Sequence, residues 1–485
     1  MPELRAPRAF RSQRCPRWSR RGVTALALLA AGCAQPPQTP FDRVQRFADA
    51  YVRLLPVGRV MEVAAAQDVR HGADVVEGPA GAARHHPYCH RSLSMQRRPF
   101  LRILGGAAVL AATPALPGCS SALPAEALAA WQPPAPVPPG GDVRRWLLAH
   151  AILAPHSHNL QSWLVDLHTP GEIWLYCDPT RLLPETDPHS RQILMSQGTF
   201  LELLHLAALQ QGLRAEVEMF PHGVFDPRTP PAPPHTHHAT ARVRLVPDAS
   251  VRPDPLFAQI FRRHTNRSAY EPRAPEAQAV QAIAAACAAP GLRVDFALPG
   301  NARLPEHRAI ARDAWRVELV TPRTMLESLK VLRVGPREIA QHRDGLSVNE
   351  PLPRLLAALG LFDRSRAPGP GDMAVTQQVQ DFNAKIEATP AFFAMVTEAN
   401  DRATQVRAGR AYARAQLAAT AHGLSMHPLQ QALQEYPEQA PHYAAIHALL
   451  GAGGGRGTVQ MWARLGYAPP VGPAPRRGVQ AHVLG

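Results

Sequence analysis

The stretch SMQRRPFLRILGGAAVLAATPALPGCSS, Ser94 to Ser121, decides where a folded body can begin in this chain. Arg97 and Arg98 form a cationic head, and an uncharged, mostly apolar run follows from Ile103 to Leu116. That run is shorter than the roughly 20 residues a helix needs to cross a bilayer, but it suits the apolar core of a cleavable signal. Gly105, Gly106 and two prolines argue against a long buried helix. A second segment, Arg20 to Cys33, has the same layout, yet a polypeptide presents only one N-terminus for export. The expectation is that Met95 is the working start. Residues 1–94 are then an upstream extension outside the mature protein, rich in Arg and Pro and with little to build a core from.

Arg-Arg-Pro-Phe-Leu resembles a twin-arginine signal, and Leu116-Pro117-Gly118-Cys119 resembles a lipobox, whose cysteine would be acylated and tether the protein to a membrane. Residues 95–119 therefore read as a signal for the twin-arginine export machinery, giving a periplasmic protein. Residues 120–141, with WQPPAPVPPGG, read as a proline-rich spacer without packing capacity.

The formal charge of +14 loses its force when divided along the chain. Residues 120–485 hold 35 basic and 31 acidic groups, so they are nearly balanced. No phosphate-neutralising stripe is evident, which argues against a nucleic-acid partner. After Cys119 only Cys177 and Cys287 remain, too few for a disulfide framework and without zinc-ligand spacing.

In the body, WLVDLHT and EIWLYCD form a strand pair around Pro170-Gly171, and TDPHSRQILMSQGTFLELLHLAALQQG reads as a long, largely buried helix ended by Gly212. Strands at RAEVEMF and ATARVRLVP follow. Helices are expected at about 254–263, 275–288, 305–333, 351–361 and 401–422, and strands at LRVDFAL, FFAMVTE and TVQMWARLGY. Strands and long helices without regular βαβ spacing give an α+β class.

Two short stretches carry chemistry. APHSHNLQSW (154–163) gathers polar groups in a loop, and in an extended segment Asn159 and Gln161 would share a side. RRHTNRSAY (262–270) alternates Arg263, Thr265 and Arg267, which would align two guanidinium forks and a hydroxyl toward a phosphate. Each alone is as compatible with ordinary loop polarity or solvated charge. Rival motifs are weaker: His235, His237 and His238 lack acidic or thiolate company, Ser157-His158 lacks a nucleophile elbow, and GAGGGRG (451–457) lacks the Lys-Ser/Thr of a P-loop.

Taken with DPTRLLPETDPHSRQILMSQGTFLELLHLAALQQGL, AGRAYARAQLAATAHGLSMHPLQQ and VQMWARLGY, these stretches make residues 142–480 resemble the nitroreductase-like flavoproteins, specifically the Acg-type branch. The resemblance implies an α+β nitroreductase-like fold of two fused halves, 142–253 and 254–485. These would form an intramolecular pseudo-dimer in a monomeric chain with one composite FMN site. It puts Pro155, Ser157, Asn159 and Gln161 along the flavin ring and ribityl chain, Arg263 and Thr265 on the phosphate, and Arg267 at the N1/O2 edge. Pro428, Leu429 and Gln430 match the loop approaching N5, and Arg476 and Arg477 are further phosphate partners. Where the family carries a small residue after Pro155, this chain has His156, a candidate proton donor; Ser162 stands where a Pro is usual.

The implied activity is electron transfer from NAD(P)H through FMN to a small-molecule nitro, quinone or similar acceptor. Two other readings stay open: an FMN-sequestering protein with a lid near Asp344-Gly345-Leu346, and a flavin-free surface lipoprotein.

Overall fold

The structure, a computed structural model, describes residues 121–228 and 238–485. The export-like segment with Cys119, and His235 and His237 of the proline-rich loop, lie outside the described residues. Among those described, no helix is long and apolar enough to cross a membrane, and no cluster of three or more acidic, His or Cys side chains is placed to hold a metal.

Two four-stranded antiparallel sheets carry the fold. The first contains β1 (Trp163–Asp166), β2 (Glu172–Cys177), β3 (Leu213–Met219) and β4 (Ala239–Pro247), in the order β1-β2-β4-β3. As the turn signal at Pro170-Gly171 requires, β1 and β2 form a hairpin, and Gly171 takes φ +74°. One face of this sheet packs Ala241 and Val243 into a core, while Arg242 and Arg244 pair with Glu172 and Glu216. That is the alternation expected of a sheet covered on one side.

The second sheet contains β5 (Leu292–Ala297), β8 (Ala391–Thr397), β9 (Ser425–Pro428) and β10 (Thr458–Gly466), in the order β5-β8-β10-β9. Every residue of β8 is buried, because apolar layers cover both faces. This explains the unbroken apolar run AFFAMVT, where β3 alternates. A separate parallel pair joins β6 (Leu332–Val334) to β7 (Leu346–Val348).

The helices are α1 (Arg144–Ala151), α2 (Arg191–Gln210), α3 (Ala277–Ala286), α4 (Leu304–Val320), α5 (Pro322–Lys330), α6 (Gly335–His342), α7 (Pro351–Ala358), α8 (Met373–Glu387), α9 (Arg402–Ala421) and α10 (Ala440–Leu449). Both sheets are threaded alike: two strands, a 20-residue helix, then two strands. The insertion α4–α8 with β6 and β7 sits between β5 and β8, where the first sheet has only a hairpin turn.

Several expectations are corrected. Residues 254–263 form only a short 3-10 turn, Pro255–Gln259, and 305–333 is broken into α4 and α5 at Thr321-Pro322. The first part of the supposed spacer packs on the body. Ala127 and Trp131 are buried, and Trp131 Nε1 donates to Ala474 O at 2.8 Å.

The long helices α2 and α9 cross at two glycines. A Cβ on Gly198 would lie 2.0 Å from Val406 O, and one on Gly409 would lie 1.9 Å from Met195 O. The contact is reciprocal: in each helix the glycine follows, three residues on, the residue whose carbonyl meets the other helix's glycine. Gly198→Ala is therefore expected to force the helices apart and destabilise the fold by about 3 kcal/mol or more. Thermal unfolding of the variant, with the exposed Gly472→Ala as a control of small effect, checks this.

Candidate functional site

Two irregular segments pack against the crossing helices, residues 155–162 on α2 and residues 263–270 on α9. The first, residues 155–162, is a 3-10 turn rather than the extended segment expected. His158, Asn159 and Gln161 have φ of 48°, 55° and 55°, a concentration of left-handed non-glycine residues that needs strong external support. Helix α2 supplies part of it: Thr199 Oγ1 donates to Pro155 O at 2.7 Å, and the Ser157 N–H donates to Ser196 Oγ at 3.2 Å.

His156 supplies more of that support from within. Its Nε2 accepts the Ser162 N–H at 3.0 Å, so its proton resides on Nδ1, which donates to Ser157 O at 2.7 Å. Burial pushes its pKa down to about 3. The ring is neutral with both nitrogens bonded to backbone, so the proton-donor expectation for His156 is corrected: the residue clamps the loop.

Asn159 and Gln161 turn to the insertion and the C-terminal tail. Asn159 Nδ2 donates to Gly345 O at 3.2 Å and Pro475 O at 3.0 Å, and the Gly345 N–H returns to Asn159 O at 3.1 Å. Gln161 Nε2 donates to Arg343 O at 2.9 Å. Asp344, between these contacts, is buried and ion-paired with Arg181 at 2.5 Å and Arg333 at 2.9 Å.

The second segment, residues 263–270, joins the edge of the second sheet. Thr265 bridges Met426 in parallel register, and the Asn266 N–H donates to Met426 O at 3.2 Å. Arg263 is buried, donating to Gln416 Oε1 at 3.0 Å and Leu153 O at 3.1 Å, and it has no carboxylate partner among the described residues. Burial lowers its pKa to about 10. Among the described residues its Nε meets no acceptor, nor does the buried hydroxyl of Tyr412 on α9, and the two residues interact electrostatically. Gln416 also reaches Thr265 Oγ1 at 3.5 Å. Arg267 remains exposed, with no hydrogen bond or ion pair among the described residues, and its charge acts on His158, His427 and Tyr412. A buried guanidinium without a counter-charge among the described residues, its Nε open near an unpartnered phenol, is costly unless an anion accepts both.

Arg476 is corrected as a phosphate partner. Its buried guanidinium is committed to Ile152 O, Ala154 O, Pro475 O and Asn159 Oδ1, satisfying carbonyls just beyond the end of α1. Arg477 binds Gln161 through its N–H at 2.9 Å and through Nη2 at 2.5 Å. It braces the first segment, and its Nε has no hydrogen-bond partner among the described residues. Pro428 pairs with Ala463 at the end of β9, the Leu429 side chain is buried in the core and its N–H donates to Trp462 O at 2.7 Å, and Gln430 is tied to Gln460 O and the Trp462 N–H.

The sequence reading missed Tyr412 and Gln416, although both lie within a quoted stretch. Polar groups four apart on an alanine-rich helix mark one face, and that spacing was the available signal.

No family model matches the chain. Two Mycobacterium tuberculosis proteins, one from each of two strains and each named "Putative NAD(P)H nitroreductase", are 31% identical to it over 351 residues, covering 70% of this chain and 90% of theirs. The chain belongs to the nitroreductase-like superfamily. Among solved nitroreductase-like structures, the FMN-dependent nitroreductase NfnB of Mycobacterium smegmatis, in complex with NADPH, aligns with 45% of this chain and 92% of its own, at 20% identity and a TM-score of 0.29. A nitroreductase-like protein of Bacillus cereus covers 47% of this chain and 94% of its own, at 12% identity and a TM-score of 0.26. The family assignment rests on the sequence relatives.

The turn that continues from β9 also touches a buried acid. Gln434 Nε2 donates to Glu318 Oε2 at 2.9 Å, and burial raises the Glu318 pKa to about 7. The folded state therefore favours the protonated carboxyl. This contribution is full below the ordinary carboxyl range and is lost as pH rises through about 7. Glu318→Gln should unfold at a higher temperature than the unsubstituted protein above that pH, with the difference vanishing near pH 4. Melting curves across that range check the sign.

Proposed function

We propose that this chain is an FMN-binding oxidoreductase with one composite site per polypeptide, using NAD(P)H as electron donor and a small nitro, quinone or similar molecule as acceptor. The observation that carries the reading is the buried pair of Arg263 and Tyr412, without a carboxylate partner among the described residues and each with a donor unpartnered there. It suits the dianionic phosphate of FMN, with the Thr265 hydroxyl alongside. The names of the relatives supply the donor class.

FMN would supply the two-electron chemistry; the chain's own part is placement and electrostatics. Arg263 and Tyr412 would fix the phosphate, and Arg267 would hold a positive charge at the ring's N1/O2 edge. The clamped loop from Pro155 to Gln161 would line the ring and ribityl side with Ser157. The identical threading of the two sheets and the reciprocal glycine contact support reading the halves as an intramolecular pseudo-dimer of Acg type. Export by the twin-arginine route to the periplasm, with attachment through Cys119, belongs to the same proposal and rests on the cationic head and apolar run of residues 94–121.

One observation favours the sequestering alternative. Arg343–Gly345 already occupies Asn159 and Gln161, and Asp344 is pinned by two arginines, so the insertion is held down over the first segment. A protein closed in this way would bind flavin without turning it over.

Arg263→Ala tests the phosphate assignment. It should weaken FMN binding by about 1.5–3 kcal/mol, the value of a hydrogen bond to a charged group, read from quenching of flavin fluorescence on titration. Unchanged affinity would remove Arg263 from the site.

A further inference from the structure

Arg464 is fully buried in β10 and has no carboxylate partner among the described residues. Its guanidinium is spent on three neighbours: Nη1 donates to Lys385 O at 3.2 Å, Nη2 to Ser268 O at 3.1 Å, and Nε to His427 Nδ1 at 3.1 Å. It also lies over the Tyr270 ring, 4.3 Å from the centroid. One side chain thus ties the end of α8, the segment after Arg267, and β9 together.

The contact with His427 has a chemical consequence. A guanidinium only donates, so His427 Nδ1 must be the accepting nitrogen and the proton must sit on Nε2. The cations facing this ring are Arg464 from β10, Lys385 from α8 and Arg267 from the adjoining segment, with no carboxylate among the groups that act on it. Burial, with these cations adding to it, holds the ring far below the usual imidazole range, hence neutral at physiological pH. His427 is half-buried, its Nε2–H meets no acceptor among the described residues, and it directly precedes Pro428-Leu429-Gln430. The Lys385 ammonium likewise has no hydrogen bond or ion pair among them. A neutral N–H held in the field of the Lys385 ammonium, on which the Asp381 carboxylate also acts, can receive an oxyanion, and the three hydrogen bonds of Arg464 keep it aimed.

We infer that His427, oriented by Arg464 and flanked by Lys385, is the oxyanion-recognising wall of the acceptor pocket, and that this chain selects planar acceptors bearing a carboxylate, phenolate or nitro oxygen. The inference rests on the proposed flavin site and extends it to the acceptor. His427 is the donor that touches the ligand, Lys385 adds charge, and Arg464 is a positioning residue. The same chemistry could be offered by a phosphate of the electron donor, so the probes must separate the two.

The test uses the full chain loaded with FMN, with benzoate as a planar oxyanion that cannot be reduced and inorganic phosphate as the second probe, each titrated against the visible spectrum. Benzoate is expected to bind, His427→Phe to weaken it on the order of 10-fold or more, and His427→Gln, which keeps a donor and an acceptor, to restore most of the loss. Flavin content should be equal in all three. Unchanged benzoate affinity in His427→Phe overturns the inference. So does phosphate binding at His427 in place of benzoate, or loss of flavin from His427→Phe, either of which would move the residue to another ligand.

A spectroscopic arm is independent of flavin. Long-range proton–nitrogen spectra of the unloaded protein should show His427 as the Nε2–H tautomer, neutral from about pH 5 to pH 8, the span in which an unperturbed imidazole titrates. Titration inside that window, or the other tautomer, also overturns it. A chain that takes up no FMN but shows this tautomer would fail the functional reading alone.

Discussion

The contact between Gly198 and Gly409 is the constraint on which the rest of the structure depends. Two 20-residue helices approach until the carbonyls of Val406 and Met195 occupy the space a side chain would fill. That proximity decides which groups meet elsewhere. Ser196 and Thr199 of α2 hold the backbone of Ser157 and Pro155, while Tyr412 and Gln416 of α9 stand against Arg263. Arg263 also donates to Leu153 O at 3.1 Å, which joins the two groups of contacts. A displacement of α9 by the width of a methyl group would separate the cation from both of its neighbours.

Around that crossing, three buried arginines without a carboxylate partner among the described residues are used in two ways. Arg476 and Arg464 are spent on carbonyls and a ring nitrogen, and each fastens several chain segments at one point. Arg263 keeps an unused N–H and lacks a counter-charge among the described residues. A guanidinium with all its neighbours satisfied is a structural pin; one left incomplete in a dry environment marks the place for an anion. The same distinction separates the clamped His156 from His427, whose free Nε2–H is dictated by Arg464.

Much of the architecture was legible because periodicity and punctuation report local geometry. The hairpin at Pro170-Gly171, the helix ending before Gly212, the strand Ala239–Pro247 and the helix from Arg402 follow directly from apolar spacing and turn residues. Within the insertion the helical runs of α4, α5 and α7 were legible, whereas β6 and β7, three residues each, the eight-residue α6 and the helix α8 were not. The site was legible in composition and not in conformation. Arg263 and Thr265 could be named from alternation, but the left-handed backbone at Asn159 and Gln161 has no local signal, being imposed by contacts to Arg343, Gly345 and Pro475. Arg476 was misread for the same reason. Its role is set by the carbonyls of Ile152 and Ala154, more than three hundred residues earlier in the chain.

The most direct measurement of the central claim is the visible absorption spectrum of the full chain, purified without added cofactor and then exposed to NADPH in the absence of oxygen. Flavin absorption that bleaches with NADPH is the predicted result and would establish both the composite site and its electron donor. A colourless protein that also fails to take up added FMN would contradict the account, and flavin absorption that NADPH leaves unchanged would contradict the enzymatic part and favour sequestration.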